Sequence, residues 1–204
     1  MREHENSELK SKAMRGRPRK FDEADVTARL MNLFWDKGYE ATSLSDIVAV
    51  TGLKKGSLYK VFGGKRDMYL KALAFYNAQY VKAACAYLSD KTAGPPHARL
   101  DKFLSSPIDA VETQDDHRGC FLCNAAAETN KQEADIKRSI AAAHERLLQA
   151  LEAVLREEGS AQTDEDIRMR ARALLVTYTG MRILVRASPD MQMLKDAKKA
   201  ALEF

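Results

Sequence analysis

The stretch Thr42-Ser43-Leu44-Ser45-Asp46-Ile47-Val48-Ala49-Val50-Thr51-Gly52-Leu53-Lys54-Lys55-Gly56-Ser57-Leu58-Tyr59-Lys60-Val61-Phe62-Gly63-Gly64-Lys65 decides the reading of this chain. Ser43 and Asp46 have the spacing of a capping box, in which two short polar side chains satisfy free amides at a helix start. A short helix therefore runs from there to about Val50. Gly52 supplies a tight turn, a second short helix covers residues 55–62, and Gly63-Gly64 breaks the chain again. Two short helices joined by a Gly-containing turn of three or four residues make a helix-turn-helix.

The flanks are helical too. Upstream, Asp22 is a plausible N-cap, Val26, Leu30, Leu33 and Phe34 make one apolar face, and Lys37-Gly38 ends the helix. Downstream, residues 65–88 read as one long helix with a stripe of Tyr69, Leu73, Tyr76, Tyr80, Ala84 and Tyr87. Gly94-Pro95-Pro96 stops it. Helical segments follow at 99–112, with a break expected near Pro107, and at 120–129, after a polar loop at 115–119. Residues 133–158 form a long helix. Thr163 and Asp166 form another capping box, opening a helix to about Arg186. Ser188-Pro189 fits an N-cap followed by Pro in the first helical position, with a last helix toward Phe204. No strand is read anywhere. The expectation is an all-α fold of about nine helices.

Composition agrees. Among 204 residues, 45% are hydrophobic and 30% charged, as in a folded, soluble chain. Ten Gly and five Pro are too few turn residues for a many-stranded sandwich or barrel. The first twenty residues lack an apolar signal segment, and no run approaches the ~18 apolar residues of a membrane span. Three cysteines do not make a disulfide framework in a chain of this size. A cytoplasmic setting with no membrane association is expected.

The net charge of +4 is unevenly placed. Residues 1–71 hold 15 basic and 10 acidic side chains, whereas residues 72–204 hold 18 and 19. An anionic partner is expected for the first third alone. Within it, Lys10 to Lys20 contains six basic residues and no acid, around Arg15, Arg17 and Arg19. Dense like charge with Gly and Pro opposes helix here. Arg-Gly-Arg-Pro is also the core of an AT-hook, an extended segment suited to narrow A·T minor grooves. An unspecific basic tail is the alternative.

The quoted stretch, with Trp35-Asp36-Lys37-Gly38-Tyr39 before it, resembles the tetracycline-repressor (TetR) family over residues 21–70. The Lys-Gly-Ser-Leu-Tyr core with Phe62 and Lys65 behind it is far more distinctive than a generic helix-turn-helix. Val48 departs from the small Ala usual where the two short helices pack, which implies local repacking. The resemblance implies a homodimeric transcription regulator, most often a repressor released from DNA by a small ligand. It implies three parts: a basic arm at 1–20, a helix-turn-helix head at 21–67, and a ligand and dimerisation domain at 68–204.

A helix entering the major groove must be narrow at its leading end and polar toward base edges. Lys54, Lys55, Gly56 and Ser57 supply this, Tyr59 places a hydroxyl toward phosphate, and Lys60 continues the basic face. Leu58 and Phe62 should point inward. Thr42 and Ser43 can meet the DNA backbone at the start of the preceding helix. By resemblance, Lys65 is a phosphate clamp.

Cys120 and Cys123 have Cys-x-x-Cys spacing at a helix start, which favours thiolate, and His117 stands nearby. Three readings are compatible: small buried side chains, a thiol switch responding to oxidants or electrophiles, or a metal site, which lacks a fourth local ligand. Tyr76, Tyr80, Asn124, His144 and Tyr178, with His117 and the two cysteines, are candidate pocket residues for an unidentified small-molecule effector. Ala173, Leu174, Thr177, Gly180, Met181 and Leu184 are candidates for a dimer surface. A twofold dimer would place two recognition helices in successive major grooves of a near-palindromic operator. No catalytic residue, cofactor or metal centre is expected. A Cys-x-x-Cys oxidoreductase is the enzyme alternative, disfavoured because such motifs accompany a βαβ pattern. An architectural protein binding A·T-rich DNA without a palindrome is the other.

Overall fold

A computed structural model describes residues 21–128, 134–159 and 163–203. Arg15, Arg17 and Arg19 of the basic arm lie outside the described residues. No strand occurs among the described residues.

The head is built from α1 (Glu23–Lys37), α2 (Leu44–Thr51) and α3 (Lys55–Phe62). Asp22 caps α1 by accepting the Ala24 amide at 2.8 Å. Gly38 closes the helix at φ 84°, a conformation that L side chains rarely adopt. Val26, Leu30 and Phe34 are buried as their spacing requires, joined by Met31 and Trp35. Leu33 is only partly buried. The capping box of α2 is complete: Ser43 Oγ accepts the Asp46 amide at 3.1 Å, and the Asp46 carboxylate accepts the Ser43 amide at 2.9 Å. Gly52 ends α2 in the left-handed region. Val48 is partly buried against the core.

The next rod comprises α4 (Lys65–Tyr76), a π-helical turn (Asn77–Val81) and α5 (Lys82–Ser89). The expected single stripe is therefore interrupted. A π turn inserts an extra residue into the ladder and rotates everything after it. Tyr69, Leu73 and Tyr76 are buried, but the inward position then falls on Val81 and Leu88 instead of Tyr80 and Tyr87.

A 3-10 turn (Lys91–Ala93) leads to α6 (Pro96–Gln114), which does not break at Pro107. Proline removes the amide that would bond to the Phe103 carbonyl. The Ser106 hydroxyl replaces it, donating to Phe103 O at 2.8 Å. Beyond the polar loop come α7 (Phe121–Glu128), α8 (Ala134–Glu158) and α9 (Asp164–Leu184). Thr163 and Asp166 cap α9 as their spacing predicts. A 3-10 turn (Val185–Ala187) precedes α10 (Met191–Glu203). Ser188 does not cap this helix. It is left-handed at φ 50° and ends the 3-10 turn, while Asp190 accepts the Gln192 amide at 2.9 Å. Counting the π-interrupted rod once, the described residues hold nine helical rods.

One buried apolar cluster runs from Val26 in α1 to Leu202 in α10. The head thus shares its interior with the larger bundle. A smaller cluster of Ile108, Met181, Val185 and Leu194 joins α6, α9 and α10.

Candidate nucleic-acid interface and effector cavity

The recognition helix α3 has two unlike faces. Leu58 is fully buried and Phe62 is 2% exposed, anchoring the helix to the head. Lys54, Lys55, Gly56, Ser57, Tyr59 and Lys60 are all exposed. Lys54 occupies the N-cap position without a side-chain cap. A Cβ at Gly56 would meet nothing within 4 Å. Nothing in the chain itself needs glycine there, although glycine weakens an exposed helix by about 1 kcal/mol relative to alanine.

The surrounding groups are placed less uniformly. Lys55 Nζ lies 5.8 Å from the centroid of the Tyr59 ring. Lys65 Nζ stands over the Tyr39 ring at 4.5 Å and donates to Glu40 O at 3.4 Å. Ser43 is exposed and its hydroxyl caps α2. Thr42 departs from expectation. It is 1% exposed, and its hydroxyl donates to Gly38 O at 2.6 Å. The side chain locks the turn before α2 and does not face outward.

A second site lies inside the bundle, in a cavity of about 180 Å³ between the π-interrupted rod, α6, α7, α8 and α9. Tyr76, Tyr80, Cys120, Cys123, His144 and Tyr178 all line it. The structure adds Val81, Ala84, Ser106, Leu122, Leu147, Thr179 and Arg182. Periodicity could not single out Arg182 among the many arginines of the chain. Its significance comes from being folded inward, four residues after Tyr178 on the same face.

Two candidates are elsewhere. His117 lies on a cleft of about 560 Å³ with Asp36, Asp115, Arg118 and Arg186, its Nε2 3.2 Å from Asp115. It therefore does not join the cysteines. Asn124 Nδ2 donates to Arg118 O at 3.0 Å, holding the polar loop onto α7 instead of facing the cavity. Among the described residues no group of three or more His, Cys, Asp or Glu side chains is arranged to hold a metal.

The chemistry of the cavity wall is mixed. Cys120 and Cys123 are free thiols. Hydrogen bonding from Cys123 is the main influence that lowers the Cys120 thiol, to about 6; burial opposes it, and the Tyr76 hydroxyl and Arg182 contribute in the same direction. Cys123, the donor of the pair, is pushed up by that hydrogen bond and by burial. The Tyr76 hydroxyl donates to Cys120 Sγ at 3.7 Å, and burial raises Tyr76 well above an ordinary phenol. Burial lowers His144, so its imidazole is neutral near pH 7. Tyr178 stacks on Phe103 with centroids 4.2 Å apart.

The cavity reaches the head through the aromatic residues. Tyr80 stacks on Tyr76 at 4.7 Å, and both present edges to Trp35 of α1, at 5.3 and 5.0 Å. The Arg118 guanidinium stands 4.0 Å from the Trp35 ring.

The outer face of α9 is apolar. Met169, Val176, Ile183 and Leu184 are exposed by 58, 71, 52 and 39%, and Met193 of α10 by 46%. Ala173 is exposed, and Thr177 and Gly180 are half-buried. A Cβ at Gly180 would meet nothing within 4 Å. Leu174 and Met181, expected at this surface, are instead 1 and 2% exposed and pack inside the protomer. They belong to the inward stripe of α9.

Comparison with known proteins agrees with both halves of the chain. Residues 26–72 match the model for bacterial regulatory proteins of the tetR family. Residues 96–200 match the C-terminal domain of LmrA/YxaF-like transcriptional regulators. The HTH-type transcriptional repressor ComR of Escherichia coli (strain K12) is 30% identical over 186 residues, spanning 90% of this chain and 88% of that protein. YezE, an HTH-type transcriptional regulator of Bacillus subtilis (strain 168), is 26% identical over 187 residues, spanning 89 and 94%. The fold is similar to that of a cysteine mutant of the TetR family regulator CifR, solved with 26-bp operator DNA. That likeness has a TM-score of 0.79 at 23% identity, covering 92% of this chain and 98% of that one. No described helix is long and apolar enough to cross a membrane. The chain belongs to the TetR family of bacterial regulatory proteins and is a DNA-binding transcriptional regulator.

Proposed function

We propose that the protein is a repressor that holds a near-palindromic operator through α3 and releases it when a small molecule occupies the bundle cavity. The division of α3 carries this reading: anchors at Leu58 and Phe62 are buried, and Lys54 to Ser57, Tyr59 and Lys60 are exposed. Lys54, Lys55, Lys60 and Lys65 are the cationic contacts, Gly56 allows close approach, and Ser57, Tyr59 and Ser43 offer hydroxyls. Thr42 contributes through its main chain only. Arg15, Arg17 and Arg19 add an arm along the minor groove. The functional division is the arm 1–20, the head 21–67 and the effector and dimer region 68–204.

Two copies pair through the outer faces of α9 and α10. Exposed Val176 and Ile183 would otherwise leave a contiguous apolar surface in water, and Gly180 permits close helix approach. The protein works in the cytoplasm, where its DNA is. Its role is regulatory and not enzymatic.

Fluorescence anisotropy against DNA selected from a random pool tests the reading. Lys55→Ala should weaken binding and reduce the slope of log affinity against log salt by about 1. An unchanged affinity and slope would remove α3 as the contact helix.

A further inference from the structure

Half-buried and buried arginines of this chain are matched to carboxylates as a rule. Arg99, 1% exposed, pairs with Glu157 at 2.7 Å. Arg170 pairs with Glu158 at 2.6 Å and Arg118 with Asp116 at 2.8 Å. Arg182 breaks the pattern. It points into the cavity, and among the described residues no carboxylate pairs with it. Its side-chain hydrogen-bond partners are neutral: Nε donates to the Tyr178 hydroxyl at 3.1 Å and Nη2 to Ser106 Oγ at 3.4 Å. Asp116 is near enough to feel its charge, yet the Asp116 carboxylate already holds Arg118 through three hydrogen bonds. Cys120, also near enough to feel the guanidinium, is engaged by Tyr76 and Cys123; no hydrogen bond joins its sulfur to Arg182. An inward guanidinium whose hydrogen-bond partners are neutral side chains keeps donors free for an external anion.

We propose that Arg182 is the head-group site of a small organic carboxylate, gripped by the guanidinium and the Tyr178 hydroxyl, with its apolar part against Tyr76, Tyr80 and Leu147. The proposal rests on the cavity being the effector site and specifies the effector's chemistry.

The hydrogen-bond directions decide which groups do the gripping. The Ser106 proton is committed to Phe103 O, and the Tyr76 proton to Cys120. The Tyr178 oxygen accepts from Arg182, leaving its own proton free for an anion beside the guanidinium. One free hydroxyl next to one cation suits a planar two-oxygen acceptor. His144, neutral by burial, adds no second positive charge beside the guanidinium. Size is limited as well: 180 Å³ is about six water molecules' share of liquid volume, below the range for drug-sized ligands. An aromatic monocarboxylate of benzoate size fits these conditions.

Isothermal titration calorimetry on the full-length protein, without DNA, tests this with acetate, benzoate and neutral benzamide. Benzoate should bind, and benzamide roughly tenfold or more weakly. Arg182→Gln should weaken benzoate roughly tenfold to a hundredfold, the loss of one charge-assisted contact. Arg182→Lys should fall between, and Tyr178→Phe should lose several-fold while keeping its ring on Phe103. The ligand-free Tm separates binding from a structural role. Removing an inward charge to which no carboxylate is bonded should leave Tm unchanged or raised, whereas an arginine that serves only packing would lower it. The proposal is overturned if benzamide matches benzoate, if Arg182→Gln binds benzoate like the parent protein, or if neither carboxylate binds. Anisotropy on the same samples distinguishes the underlying reading. Arg182-dependent binding that leaves DNA affinity unchanged would retain the carboxylate site and refute its role as effector switch.

Discussion

The Glu128 carboxylate, at the end of α7, accepts the backbone amide of Tyr39 at 2.6 Å. It lies so close to Gly38 that a Cβ there would fall on it. The start of α7 carries Leu122 and Cys123 at the cavity, and its end clasps the turn that leads into α2. One short helix thus spans from the cavity wall to the DNA-binding head.

Glu128→Ala should therefore lower stability by about 1 kcal/mol in urea unfolding, the scale of one hydrogen bond to a charged group near the surface. Its larger effect should be on coupling. DNA affinity and effector affinity should each survive, while the factor by which effector lowers DNA affinity shrinks toward one. Measuring DNA affinity with and without effector in the variant checks this. Gly38→Ala should be more harmful, because φ 84° and the occupied Cβ position act together.

Trp35 is the single tryptophan of the chain, 3% exposed, and lies within about a ring's width of two cavity residues. Its fluorescence should be blue-shifted and poorly quenched by acrylamide in the native protein. Occupation of the cavity should change its intensity through Tyr80 and Tyr76. Tyr80→Ala should abolish most of that change without preventing DNA binding.

The α2 capping box makes an acid-sensitive joint. Lys37 Nζ donates to Asp46 at 2.7 Å, and with the Ser43 hydroxyl and amide it holds the Asp46 carboxyl well below the ordinary carboxylate range. A carboxylate depressed in the folded state stabilises the fold above its unfolded pKa of about 3.9, and that contribution is lost as pH falls toward its folded value. Thermal melts should thus show the parent protein losing more stability than Asp46→Asn between pH 5 and acid. At neutral pH, Ser43→Ala should cost about 1 kcal/mol as a lost cap.

Thiol chemistry at the cavity should be one-sided. With Cys120 lowered to about 6 and Cys123 raised, alkylation by iodoacetamide should modify Cys120 first. Its rate should rise through a midpoint well below the ~8.5 of a free thiol. Cys123→Ala removes the donated hydrogen bond and should move that midpoint upward. Peptide mass spectrometry across pH reads both. If oxidant or alkylating agent also released DNA in a Cys120-dependent way, the thiol-switch reading would gain support over a purely reversible effector.

The head was legible because its signals are local. Capping spacing at Ser43 and Asp46, Gly38 and Gly52 at turns, and the alternation of Leu58 and Phe62 with charged neighbours depend on residues a few positions apart. The cavity was legible only in part. Its tyrosines and cysteines stand out by residue type, but the π turn after Tyr76 rotates the register, burying Val81 and leaving Tyr80 partly exposed where it lines the cavity. The Pro107 helix survives because Ser106 replaces a lost donor, a compensation visible only with both atoms placed. His117 was carried away by the polar loop, and Asn124 turns from α7 to bond that loop at Arg118 O. Arg182 and Glu128 matter through partners 76 and 89 residues away, Ser106 and Tyr39, which no local pattern encodes.

The most direct test of the account is a footprint on DNA recovered by the full-length protein from a random pool. A discrete inverted repeat is expected, with half-sites about one helical turn apart or a multiple of it, lost when Lys55 and Tyr59 are both replaced by Ala. Uniform protection of A·T-rich DNA with no inverted repeat, unaffected by those replacements, would contradict it.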